Sequence, residues 1–100
     1  MSFNMQKLMK QAQKMQADMA RVQEELKEMS VEGASGGGMV KATVNGKGEP
    51  LAIKIDPQVV DPEDVEMLED MIMAAILDAM RKAGEASNEK IQKITGGMPG

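Results

Sequence analysis

The stretch Gly36-Gly37-Gly38-Met39-Val40-Lys41-Ala42-Thr43-Val44-Asn45-Gly46-Lys47-Gly48-Glu49-Pro50-Leu51-Ala52-Ile53-Lys54-Ile55-Asp56 switches the chain from a helical period to a period of two. Val40, Ala42 and Val44, then Leu51, Ile53 and Ile55, recur at every second position, the pattern of strands with one buried and one wet face. Asn45-Gly46-Lys47-Gly48 lies between them and supplies residues that tolerate positive φ. A hairpin is therefore predicted, pairing strands at about 39–45 and 49–56 antiparallel. A further strand is read at about 31–35. The glycine run is read as a turn, because it leads into a strand rather than a helix and lacks the Gly-Lys-Ser/Thr ending of a phosphate loop.

Outward from this centre, both flanks are helical. From Met5 the apolar positions run Met5, Leu8, Ala12, Met15, Met19, Val22, Leu26, Met29. These steps of three and four make a coiled-coil-type seam. Helix formers fill the rest, and Ser2 or Asn4 suits the N-cap, so a helix is predicted over about 4–29. At roughly 1.5 Å per residue it is about 38 Å long, whereas a compact chain of this size has a radius of gyration near 13 Å. The helix must overhang its own domain. On the other flank, Asp61-Pro62-Glu63-Asp64 reads as a helix start, with Asp61 as cap, Pro62 at the first helical position and carboxylates at the positive dipole end. Val65, Leu68, Ile72, Ala75, Ala79 and Ala83 carry the helical spacing, and Ile91 and Ile94 keep its phase to about 94. Met67, Met71 and Ala74 add a second stripe, so Met71–Leu77 is apolar nearly all round. A helix of that kind needs cover on two sides. The expected fold is α+β: a long helix, a three-stranded antiparallel meander and a second long helix. One α-βββ-α domain is expected over 1–95, with a flexible tail at 96–100.

Composition removes most chemistry. Among 100 residues there is no Cys, His, Trp or Tyr. Thiol nucleophiles, thiolate and imidazole metal sites, disulfides and the usual general base are therefore absent. No catalytic residue, metal, cofactor or small-molecule substrate is expected. The carboxylates Asp61, Glu63, Asp64, Glu66, Glu69 and Asp70 match no calcium-loop spacing. The apolar run Met71–Leu77 is too short to span a bilayer and the N-terminus lacks a signal pattern, so a cytoplasmic protein without membrane contact is expected. The 12 methionines fall mostly on the apolar stripes, where flexible thioethers suit a core or a seam between subunits.

The formal net charge of −4 is unevenly spread. Residues 1–21 hold Lys7, Lys10, Lys14 and Arg21 against Asp18, whereas 56–70 hold seven carboxylates and no base. Lys7, Lys10, Lys14 and Arg21 recur at helical steps, so they form one basic stripe beside the seam. An acidic protein can thus carry a locally cationic surface. With Phe3 the sole aromatic, base stacking on single strands is nearly unavailable. Any nucleic acid bound is expected to be duplex, met through backbone and shape.

At this point the chain resembles the YbaB/EbfC family of bacterial nucleoid-associated proteins. The likeness rests on Gly36-Gly37-Gly38-Met39-Val40, Val44-Asn45-Gly46 and Ile53-Lys54-Ile55-Asp56. It continues in the block Asp64–Ile72 with Ala74-Ala75 and Asp78-Ala79, and in the ending Thr95-Gly96-Gly97-Met98-Pro99-Gly100. Leu77 departs from it, since Asn is expected there. The resemblance implies an intertwined, tweezers-shaped homodimer whose protruding helices grip double-stranded DNA in the nucleoid and influence gene expression. By segment, it assigns DNA contact to Lys7, Lys10, Lys14 and Arg21 and to Arg81, Lys82, Lys90 and Lys93. The expected dimer interface is Leu68, Met71, Ile72, Ala75 and Ile76. The competing reading is a prefoldin-like or adaptor-type interaction module, since helix, hairpin and helix is also the prefoldin plan. Its helices would pair within one chain and expose apolar tips.

Overall fold

A computed structural model describes residues 4–95. The elements follow the order helix, three strands, helix: α1 (Met5–Glu28), β1 (Val31–Ser35), β2 (Val40–Val44), β3 (Pro50–Ile55) and α2 (Val65–Ile94). Single-turn 3₁₀ segments at Gly36–Gly38 and Pro57–Val59 link β1 to β2 and follow β3. The sheet is antiparallel in the order β1-β2-β3, with Gly33 facing Ala42 and Ala42 facing Ile53. The tail expected at 96–100, and Ser2 as a cap, lie outside the described residues.

Local chemistry explains the boundaries. The Asn4 side chain accepts a hydrogen bond from Lys7 N at 3.1 Å, satisfying one of the four orphan donors of α1. At the far end, the hairpin caps the helix. Gly46 N donates to Leu26 O at 2.7 Å, and a Cβ on Gly46 would lie 2.9 Å from that oxygen, so this close approach requires glycine. Asn45 was expected to serve by tolerating positive φ, but only Gly48 takes it in this turn. Asn45 is instead a buried latch, 3% exposed. Its Oδ1 accepts from Lys47 N (2.9 Å) and Glu49 N (3.0 Å), and its amide donates to Glu49 Oε1 at 2.7 Å.

The start of α2 differs from the expectation. Asp61 spends its side chain on Glu63 N at 2.9 Å, and its carbonyl accepts from Asp64 N, which closes a turn rather than opening a helix. Asp64, with φ −142° and ψ 64°, stands outside the helical region, and its Oδ1 takes Met67 N at 3.1 Å. Two potential caps stand in series, and the second is the N-cap.

The core lies between α2 and the first two strands. Ala75, Ala79 and Ala83, one turn apart, are buried against Val40, Ala42 and Val44. Small residues let the helix come close. A Cβ on Gly33 would overlap the Ala79 backbone and lie 2.5 Å from Ala75 O. Ala75 is 0% exposed inside its own chain, so its expected place in a dimer interface is withdrawn. Leu68, Met71, Ile72 and Ile76 are partly buried around the same core. The exposed apolar stripe of α2 is the next one round, Met73, Leu77 and Met80.

The expectation that the inner sheet face is covered holds for β2 and fails for β3. Leu51 is 55% and Ile53 44% exposed, because α2 lies over β1 and β2 and stops short of the third strand. α1 and α2 run antiparallel where they meet, with Lys90 paired to Glu25, and Val22 and Leu26 are the buried residues of α1. The outer turns of α1 extend beyond this contact with Met5, Leu8, Met9 and Met15 exposed. The overhang read from helix length is visible in the shape, 75 × 24 × 16 Å with a radius of gyration of 19.9 Å.

Candidate nucleic-acid interface

Where α1 and α2 leave the sheet together they enclose a cleft of about 440 Å³. Lys14, Asp18, Arg21 and Glu25 line it from α1, Lys90 and Lys93 from α2. Four of the eight basic residues singled out by segment therefore converge from opposite ends of the sequence. Positions 14 and 93 meet because the helices are antiparallel, not because of any local spacing.

Ion pairs divide the eight cations into two classes. Arg21 is held by Asp18 at 3.3 Å and Glu25 at 3.7 Å, and Lys90 by Glu25 at 3.3 Å. Arg81 lies between Asp78 (3.0 Å) and Glu85 (2.9 Å), and Lys82 Nζ is 3.2 Å from Asp78. Lys7, Lys10, Lys14 and Lys93 make no such pair among the described residues. A cation already facing carboxylates presents little net field to a phosphate. The unpaired lysines carry their full charge outward along the overhang.

Arg81 and Lys82 do not line the cleft; they belong to a structural network around Asp78. The Asp78 carboxylate accepts Ala34 N at 3.1 Å, then Arg81 and Lys82, and these donors hold its pKa at about 2 against the partial burial that opposes them. Asp78 also raises the Arg81 pKa. Lys82 Nζ reaches Glu32 O at 3.4 Å, so its head lies on the edge of the sheet. Sequence reading passed over Asp18, Glu25, Asp78 and Glu85 as partners. The i,i+3 and i,i+4 spacings of Asp18 and Glu25 to Arg21, and of Asp78 and Glu85 to Arg81, were a sufficient signal. Glu25 to Lys90 had none.

Comparison with known proteins gives consistent results. The sequence profile described as the YbaB/EbfC DNA-binding family matches residues 1–98. A nucleoid-associated protein of Acetivibrio thermocellus is 56% identical over 97 residues, covering 97% of this chain and 86% of that one. Another from Pelotomaculum thermopropionicum is 50% identical over 98 residues, covering 98% and 93%. In structure, the chain is similar to an uncharacterized protein of Helicobacter pylori, HP0035, at a TM-score of 0.82 and 25% identity, covering 95% of this chain and 100% of that one.

Proposed function

The chain belongs to the YbaB/EbfC DNA-binding family, and on that premise we propose that it is a nucleoid-associated protein that holds duplex DNA as a homodimer. The observation that carries this reading is the convergence of Lys14 and Lys93, with Arg21 and Lys90, where two helices project from the sheet. Lys10 and Lys7 continue the array outward along α1. Lysine heads spaced along a rigid helix replace condensed counterions on the phosphates, and that release supplies sequence-independent affinity.

Contacts of this kind position the protein without reading base edges, and the chain offers no aromatic side chain among the described residues for stacking. Specificity then comes from groove shape and deformability. Arms that do not yield favour DNA conformations that fit them, which alters DNA shape and through it nucleoid organisation and gene expression.

Exposed apolar side chains support the homodimer: one protomer leaves Leu51, Ile53, Met73, Leu77 and Met80 for a partner to cover. The two helices do pair within one chain and α1 does expose an apolar tip, as the prefoldin plan would require. Family membership decides between the readings. Fluorescence anisotropy with matched duplex and single-stranded oligonucleotides tests the proposal: duplex binding that weakens steeply with salt is expected. Preference for single strands, or affinity indifferent to salt, would overturn it.

A further inference from the structure

The cleft between α1 and α2 differs in charge from its inner to its outer half. Leu26 lies against the hairpin, so residue numbers on α1 fall outward from the sheet. Counted in that direction, the face of α1 that lines the cleft carries Glu25, Arg21, Asp18 and Lys14, each one helical turn from the next. Opposite them, α2 supplies Lys90 and then Lys93. The inner half is balanced, with Arg21 and Lys90 against Glu25 and Asp18. The outer half is not. Lys14 and Lys93 have no carboxylate partner among the described residues, and Lys10 and Lys7 continue beyond them along the overhang.

Glu25 links the two inner cations. Its Oε1 is 3.7 Å from Arg21 Nε and its Oε2 is 3.3 Å from Lys90 Nζ. Among the described residues, no other ion pair joins the two helices. Pairs between exposed groups add little to stability, and the helices have other means of association: Val22 and Ile94 both line the cleft, and Leu26 O takes Gly46 N. The contact therefore matters more for charge than for the fold. One carboxylate faces both inner cations, so a phosphate that approaches either cation also meets Glu25, and like charges a few ångströms apart at a protein surface repel. At Arg21 the phosphate would meet Asp18 as well, 3.3 Å from the guanidinium.

We infer that Glu25, supported by Asp18, is a resident counter-ion that withholds Lys90 and Arg21 from DNA and ends the phosphate-contacting surface at Lys14 and Lys93. This rests on the reading of the chain as a duplex-binding homodimer and says how far in along its helices the duplex is held. The two carboxylates stand where phosphates would otherwise sit. The inner cations are satisfied before DNA arrives, so little counterion release is gained there. Sequence-independent attraction is thereby confined to the outer lysines, and a larger share of the affinity is left to how well the shape of the duplex fits. Glu25 is in this sense a specificity-determining residue that acts by limiting affinity.

Glu25→Gln removes the charge and nearly keeps the shape of the side chain. It frees Lys90 while Asp18 still holds Arg21, so a homodimer gains up to two phosphate contacts. The slope of log affinity against log salt should steepen by about 1.8, and duplex affinity at 0.1 M salt should rise by up to about 60-fold. Glu24→Gln makes the same change in net charge one position away, at an exposed residue that does not line the cleft and makes no ion pair among the described residues. Its slope should stay within about 0.5 of the parent. Adding Lys90→Ala to Glu25→Gln should take the gain back. Anisotropy of a labelled duplex at several salt concentrations reads all three variants, with thermal melting to show that each is folded. Weaker binding or an unchanged slope in Glu25→Gln, or an equal gain in Glu24→Gln, would overturn the inference and leave duplex binding standing. A parent that binds no duplex would overturn both.

Discussion

Removing the two unpaired lysines of the cleft separates the phosphate-contacting cations from those that hold the fold. Lys14 and Lys93 line the same cleft and have no carboxylate partner among the described residues, whereas Arg81 is held by Asp78 and Glu85. Each phosphate neutralised contributes about 0.9 to the slope of log affinity against log salt. In a homodimer, Lys14→Ala/Lys93→Ala removes up to four contacts, so the slope should become shallower by about 3.6. At 0.1 M salt, each lost contact should weaken binding about eightfold. Arg81→Ala should leave the slope within about 0.5 of the parent, since its charge is already compensated by neighbours. The assay is anisotropy of a labelled duplex titrated at several salt concentrations, with thermal melting to show that the exposed lysines leave the fold intact. An unchanged slope in the double variant, or an equal loss in Arg81→Ala, would refute the division of cations by their ion pairs.

Two further outcomes follow from the packing and the Asp78 network. Gly33→Ala places a methyl group against the Ala79 backbone, where no side chain can rotate away, and should destabilise the fold by about 3 kcal/mol in chemical denaturation; a loss below about 0.5 kcal/mol would contradict the close approach of β1 and α2. The Asp78 carboxyl is held at about 2 against an ordinary value of 3.8, so its contribution to stability is complete above pH 4 and lost as pH falls toward 2. Asp78→Asn should flatten melting temperature against pH across that window, and a parent-like profile would show that other carboxylates govern the acid limb.

Much of the fold was legible because it depends on local periodicity. The seam from Met5 to Met29 predicted α1 to within a residue at each end, and the alternation of Val40, Ala42 and Val44 predicted β2 with its buried face. The start of α2 was misplaced by one turn, because Asp61 and Asp64 are equally good caps by composition. Only the docking of Leu68 and the turn at Asp61 chooses between them. For the candidate interface, the basic residues could be named, but not sorted. Whether a lysine faces phosphate or a sheet edge depends on which carboxylate or carbonyl lies within 4 Å: Asp78 is one turn from Lys82, but the Glu32 carbonyl that Lys82 also reaches and the Glu25 carboxylate that holds Lys90 are 50 and 65 positions away.

The sequence by itself determined the element order, the overhang of α1, the exclusion of thiol and imidazole chemistry, and the unequal distribution of charge. These follow from side-chain period, helix rise and residue inventory, which need no knowledge of distant contacts. Tertiary structure alone decided that Ala75 lies beneath β1 rather than at a surface, that Lys14 and Lys93 share a cleft, and that α2 caps one edge of the sheet and leaves β3 open. Each of these depends on how closely α2 approaches a particular strand. That distance is set by the missing side chain of Gly33 and the small side chains of Ala75 and Ala79, acting across more than forty residues of chain.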